Sequence, residues 1–264
     1  MPVRIGVCAP LEQILLLEGM GYDYIEGNLS QTAIMDNHAF RTLCAVVDQS
    51  QIKAEVMGYM LPREISVTGR GVNAQLLHSY LDLAFRRAKR LGCRVIAFAS
   101  AGSRQVPEDW PFDRAWRQMT NFFRIVERHA QEHDLLVCVE PLNRGECNIL
   151  HTVSEATLLC SLLQLDHIRV LANTYHMAME HEPLDSLACA GALLGHVHTA
   201  NALGRLFPKI GDGEDYKALF RTLDRIGYTG RVSVEAAWND FREDAQDAFF
   251  CLDSSRHFLG TPSD

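Results

Sequence analysis

None of the eight cysteines falls in a Cys-x-x-Cys pair. Cys8, Cys93 and Cys138 sit in or beside apolar runs, so reduced thiols in a cytoplasm are expected rather than a disulfide framework. No apolar stretch approaches the roughly 20 residues that cross a bilayer, and no membrane association is expected. Basic charge is in deficit, with a net charge of −8, which argues against a nucleic-acid partner needing a basic face. Low-complexity stretches and Pro- or Ser-rich linkers are also missing. One domain over 1–264 is therefore expected, with 260–264 a loose tail. The opening Met1-Pro2-Val3-Arg4-Ile5 enters a strand pattern at once, so no signal peptide is expected.

What fills the chain is alternation. Short apolar runs at Val3–Cys8, Tyr22–Glu26, Ile52–Met57, Arg94–Ala99, Leu135–Glu140, Ile168–Ala172, His196–Thr199 and Arg231–Glu235 predict eight strands. Helical patterns lie between them, including Asn73–Leu91, Asp113–His133, Ser154–Leu163 and Tyr216–Ile226. Within the first of these, Leu76, Leu77, Tyr80, Leu81, Ala84 and Ala88 recur at helical spacing. Asp113 and Ser154 are placed as N-caps, and Gly21, Gly92 and Gly227 as C-terminal caps. Unbroken strand–helix alternation implies a parallel sheet with helices outside. Eight units in 264 residues favour an α/β fold of the closed (β/α)8 TIM-barrel type over an open sheet.

Barrels of this kind carry their chemistry at the C-terminal strand ends. Glu140 ends strand five, Asn173 follows strand six, His198 lies near the end of strand seven, and Glu235 ends strand eight. Two carboxylates, an imidazole and an amide oxygen therefore converge on one mouth, where they can share a divalent ion. Each glutamate closes an apolar run, and a buried carboxylate needs a cation, a metal or a proton; for Glu140 the plainer alternative is a structural ion pair with Arg144. His196 and His198 share one face of their strand, His196 being read as a packed core residue and His198 as the ligand. Imidazole plus carboxylates suits Mn²⁺, with Mg²⁺, Co²⁺ or Zn²⁺ as alternatives. His176 is placed to contact substrate. Arg104, in the loop Ser100–Pro107, is a candidate for binding hydroxyls, a carboxylate or a phosphate. The remaining histidines receive no role.

Several spaced motifs, Gly102-Ser103-Arg104-Gln105-Val106-Pro107-Glu108, Glu140-Pro141-Leu142-Asn143-Arg144, Glu146-Cys147-Asn148, His196-Val197-His198 and Gly227-Tyr228-Thr229-Gly230, occur in this order. With them the chain resembles the xylose isomerase-like barrels grouped as sugar phosphate isomerases/epimerases, which include ketose 3-epimerases and hydroxypyruvate isomerases. The resemblance implies that Glu140 and Glu235 bind the metal and exchange protons with substrate, and that His198 is a ligand. It also implies that Glu146, His176 and Arg205 contact substrate. The main departure is Asn173, which stands where the family usually has Asp in a run like Ala-Asp-x-Tyr-His-Met. Loss of one negative charge should loosen the hold on the ion.

The expected activity is metal-dependent proton transfer beside the carbonyl of a ketose or short hydroxy-ketone, through an enediolate. Three rivals stand beside it. Dehydration on the same barrel starts with the same proton abstraction. A sugar-binding pseudoenzyme is motivated by Asn173 alone. A nucleolytic three-metal enzyme would need histidines after strands three and four, where Val56-Met57-Gly58-Tyr59 and Phe98-Ala99-Ser100 have none. A homodimer or homotetramer is the expectation that the resemblance carries.

Overall fold

Eight parallel strands close into a barrel in sequence order. The computed structural model describes residues 3–257; the tail expected at 260–264 lies outside them. The strands are β1 (Arg4–Cys8), β2 (Tyr24–Asn28), β3 (Val56–Gly58), β4 (Val95–Phe98), β5 (Leu136–Val139), β6 (Ile168–Asn173), β7 (Leu194–Thr199) and β8 (Arg231–Val234). The helices are α1 (Ile14–Met20), α2 (Leu29–Ile34), α3 (Asn37–Gln49), α4 (Ala74–Arg90), α5 (Ala101–Arg104), α6 (Phe112–His133), α7 (Val153–Leu163), α8 (Thr174–Met179), α9 (Ser186–Ala190), α10 (Tyr216–Arg225) and α11 (Phe241–His257). β8 returns to pair with β1, from Arg4 opposite Arg231 to Val7 opposite Val234. Among the described residues no helix is long and apolar enough to cross a membrane.

Some boundaries move from their expected places for local reasons. Gly21 caps α1 in the left-handed region, φ 99°, and the Tyr22 amide still bonds back to Leu17, so β2 starts only at Tyr24. β3 is reduced to Val56–Gly58 because the chain before it makes single bonds, such as Ile25 N–H to the Lys53 carbonyl, before the ladder begins. α6 starts at Phe112 with Pro111 at the N-cap, and Asp113 instead pairs with Arg117 one turn on, at 2.5 Å. Thr152, not Ser154, caps α7: its hydroxyl accepts the Glu155 amide at 3.1 Å. In α4, Leu77, Leu81, Ala84, Phe85 and Ala88 form the buried stripe, while Leu76 in the first turn is exposed.

The outward strand faces pack on the helices. Phe98, for example, meets Phe122 and Phe123 of α6 at ring separations of 4.9 and 5.7 Å. Inside the barrel a small dry cluster of Tyr24, Val56, Val95, Ala97, Cys138 and Leu171 fills the middle. Tyr24 fits there because a Cβ on Gly6 would lie 2.3 Å from its ring. One end is plugged by charge, since Arg4 and Arg231 both bond the Glu55 carboxylate at 2.5 Å. Toward the other end the inward side chains turn polar: Ser233, His196, Glu26, His198, then Glu140, Asn173 and Glu235.

One irregularity aims two of them. Between β6 and β7 the register passes from Val170–Leu194 to Leu171–His196, so Gly195 is the extra residue. A Cβ there would sit 2.6 Å from Cys138 Sγ and 2.7 Å from Arg169 Cβ. Glycine thus allows the slip that places His196 and His198 inward beside Leu171 and Asn173.

Candidate metal and substrate site

Glu140 and Glu235 follow the last residues of β5 and β8 and are almost fully buried. His198, inward on β7, stands between them: its Nδ1 lies 3.5 Å from Glu140 Oε1 and 3.5 Å from Glu235 Oε2. On its other side Nε2 contacts Glu26 Oε1 at 3.0 Å. A carboxylate at Nε2 holds a proton there and turns Nδ1 to the Glu140–Glu235 corner, the usual arrangement behind a metal-bound histidine, whose Nδ1 proton a cation would displace. Burial alone would keep the ring neutral, but Glu26, Glu140 and Glu235 overcome it and push its pKa well above the ordinary histidine value. Burial would likewise raise Glu235; His198 and Arg205 win and pull it to about 2.

Among the described residues, His198 Nδ1 and Glu140 Oε2 are buried without a hydrogen-bond partner. Glu140, His198 and Glu235 offer ligand atoms within 4.8 Å of one another. Two carboxylates and an imidazole nitrogen that lacks a hydrogen-bond partner, gathered at one corner, fit a divalent cation. Cys8, Glu26 and His198 make a second such group. There His198 Nε2 is already bonded to Glu26, and burial, with the Glu26 charge, keeps the Cys8 thiol protonated. The Nδ1 side is the better seat.

Asn173 closes the corner differently from the expectation of an oxygen ligand. It caps α8, its Oδ1 accepting the Tyr175 amide at 3.0 Å. Its Nδ2 donates to Glu140 Oε1 at 2.7 Å and to Glu235 Oε2 at 2.9 Å.

The residues expected to meet substrate separate into two groups. His176, Glu146 and Arg205 gather beside the glutamates. His176 Nδ1 accepts the Asn143 backbone amide at 3.2 Å and faces the Asn143 side-chain amide at 2.8 Å. The imidazole proton therefore sits on Nε2, which is 3.7 Å from Glu140 Oε1 and has no partner among the described residues. Burial lowers this histidine's pKa, against the pull of Glu140 and Glu146, so it is a neutral donor. Arg205, in the left-handed region at φ 52°, bonds Glu235 at 2.6 Å and Glu146 at 3.2 Å and lies 4.7 Å over the Tyr175 ring. Arg104 goes elsewhere. The short helix α5 turns it into the core, where it donates to the Glu140 carbonyl at 2.5 Å and lies over Phe98, bracing the end of β5 from behind. Arg144 pairs with Glu180, so it is not the counterion of Glu140. His196 is fully buried between Glu26, at 3.0 Å, and Ser233, at 3.3 Å.

Glu26 was missing from the expected site although it carries the same signal as Glu140 and Glu235, a carboxylate closing an apolar run. Asn143, which orients His176, and Tyr59, which lines both cavities at the mouth, were missing too. One cavity of about 480 Å³ opens from Glu26, Arg205 and Glu235 toward Cys8, Leu11, Met35 and Trp238; another of about 370 Å³ runs past Glu140, Glu146 and the Ser100–Ser103 segment.

Comparison with known proteins gives this geometry a family. The chain is 32% identical over 108 residues to a D-psicose 3-epimerase of Agrobacterium fabrum, a match covering 40% of this chain and 36% of that protein. It is 32% identical over 121 residues to a 3-dehydro-D-guloside 4-epimerase of Escherichia coli, covering 45% of each. The match thus spans less than half the length of these two relatives. A longer match, 24% identical, links 82% of this chain to 74% of an L-ribulose 3-epimerase of Methylomonas. Among solved structures, a 3-keto-D-glucoside 4-epimerase from E. coli superposes with a TM-score of 0.82 over 96% of this chain and 99% of its own, at 19% identity. A D-psicose 3-epimerase crystallised in the presence of D-fructose does so at 0.83, also at 19% identity, over 98% and 100%; at these identities the likeness shows the fold alone. The family model for the xylose isomerase-like TIM barrel matches residues 14–253, and the chain belongs to that family.

Proposed function

We propose that this protein is a divalent-metal-assisted sugar isomerase or epimerase that moves a proton on the carbon beside a ketose carbonyl. One observation carries the reading: Glu140 and Glu235 reach into the same corner from two different strands, each with an oxygen within 2.9 Å of one nitrogen. Two carboxylates so placed can address one carbon from two sides, as deprotonation and reprotonation of a carbon acid require.

A cation held by Glu140, His198 and Glu235 would polarise the carbonyl and offset the charge of the enediolate. The rest falls to the side chains. Neutral His176 presents Nε2–H beside Glu140, where it can donate to a carbonyl or hydroxyl oxygen of the sugar. His198 and Arg205 together keep Glu235 ionised, the form that accepts a proton, and Arg205 ties it to Glu146 at the rim. The 480 Å³ cavity, walled by Leu11, Met35 and Trp238 with Asn28 and Gln31 beside them, takes the part of the substrate away from the reacting carbons. Relatives named as 3- and 4-epimerases of keto sugars support the substrate class. Mn²⁺ is the ion proposed first for a mixed carboxylate–imidazole corner.

The test is solvent exchange. With Mn²⁺ in D₂O and a panel of ketoses, ketose phosphates and hydroxypyruvate, NMR should show deuterium entering beside the carbonyl. Glu140→Gln and Glu235→Gln should each abolish that exchange and leave the fold intact. Substantial exchange in both variants would overturn the assignment.

A further inference from the structure

We infer that Asn173 is a hydrogen-bond clamp on the two glutamates and not a metal ligand, so that this chain holds its cation with three side chains. The inference rests on the Glu140–His198–Glu235 corner described above. A side-chain amide has one oxygen and one nitrogen, and the two are not interchangeable. The Asn173 oxygen is committed to the Tyr175 amide at the start of α8, at 3.0 Å. Turning the side chain over would put its NH₂ against that N–H, donor to donor, in a buried setting, and would leave the helix uncapped. The nitrogen therefore has to face inward. There it finds acceptors on both sides, Glu140 Oε1 at 2.7 Å and Glu235 Oε2 at 2.9 Å.

An aspartate at this position would behave otherwise. One oxygen would cap α8 and the second would add an acceptor and a charge to a corner that already holds two carboxylates. Such a corner needs an ion to hold it together. With asparagine, the N–H donors do part of that work: they join Glu140 to Glu235, and Arg205 anchors Glu235 from outside at 2.6 Å. The glutamate pair is thereby kept in place with or without the ion, and metal affinity is given up for metal-independent geometry. Asn173 is a positioning residue, acting through the carboxylates it bridges.

The experiment compares the wild-type protein with Asn173→Asp. Mn²⁺ binding is followed by electron paramagnetic resonance, and thermal melting is recorded in EDTA and in excess Mn²⁺. Two results are expected. In EDTA, Asn173→Asp melts below wild type, because a third carboxylate replaces the amide donor that bridges the other two. In Mn²⁺ it binds the ion at least roughly 10- to 100-fold more tightly, the range seen when weaker, outer partners of a metal site are altered, and its melting temperature rises by more than that of wild type. Equal Mn²⁺ affinity in the two proteins would overturn the three-ligand assignment, and equal melting in EDTA would overturn the clamp. If neither protein bound Mn²⁺ while Asn173→Asp still melted lower in EDTA, the cation would leave the proposed function and the clamp would stand.

Discussion

Glu26 takes hydrogen bonds from two imidazoles at once, His196 and His198, deep inside the barrel. With the carboxylate removed, the His198 ring would keep Glu140 and Glu235 on one side and lose its anchor on the other. Breaking a buried charge pair from one end costs about 3–5 kcal/mol. Glu26→Ala should therefore lose that much stability in urea unfolding, and a loss below about 1 kcal/mol would show that the imidazoles find other partners. At this scale the sequence was informative where a charge closes an apolar run, as at Glu140 and Glu235. Glu26 offers the same signal at the end of Tyr22–Glu26, but no motif beside it marks it as part of the site. Which atom of Asn173 faces the corner was not legible at all, because the Tyr175 amide makes that choice and sequence shows only the residue type. Arg104 misled for a related reason: a Gly- and Ser-containing loop looks open to ligand, while the short turn of α5 rotates the guanidinium inward.

At the level of elements, the slip at Gly195 decides what β7 shows to the barrel. Alternation along the strand places His196 and His198 on one face, and that much could be read directly. Which face that is depends on the register against β6, where the extra residue sits. Gly195→Ala should force Cys138 or Arg169 to shift and cost about 1–3 kcal/mol, the usual penalty for overpacking a filled interior. The same variant should weaken Mn²⁺ binding, because the strand carries His198 with it. A variant of wild-type stability and unaltered Mn²⁺ affinity would show that β7 tolerates a side chain there. The long periodic helices α4, α6 and α10 were evident from spacing. The short helices α2, α8 and α9 were not, since one or two turns leave too few positions for a period to show. α3 is longer, at Asn37–Gln49, and was missed although its N-cap, Asp36, accepts two backbone amides, at 2.7 and 2.9 Å.

Across the whole molecule, charge is gathered at the two ends of the barrel with a dry layer between. The Arg4–Glu55–Arg231 plug closes one end, and the Glu140–His198–Glu235 corner occupies the other. The apolar middle, Tyr24 to Leu171, separates them. The plug also joins β1, β8 and the segment before β3, which the chain brings together from opposite ends. α11 extends this junction: Arg256 donates to the Val3 carbonyl at 2.9 Å and to Asp23 at 2.8 Å. Every other strand pairs with its immediate successor, so β1 and β8 alone must find each other across more than two hundred residues of chain. Loop closure over such a span is entropically costly and slows assembly. The barrel should therefore grow from neighbouring strand–helix units and shut last, with Arg256 as the latch. Weakening a contact that forms after the rate-limiting step leaves the folding rate alone and speeds unfolding. In stopped-flow experiments Arg256→Ala should steepen the loss of native protein and refold at the wild-type rate. A slowed refolding limb would instead place the seam between first and last strand among the earliest contacts to form.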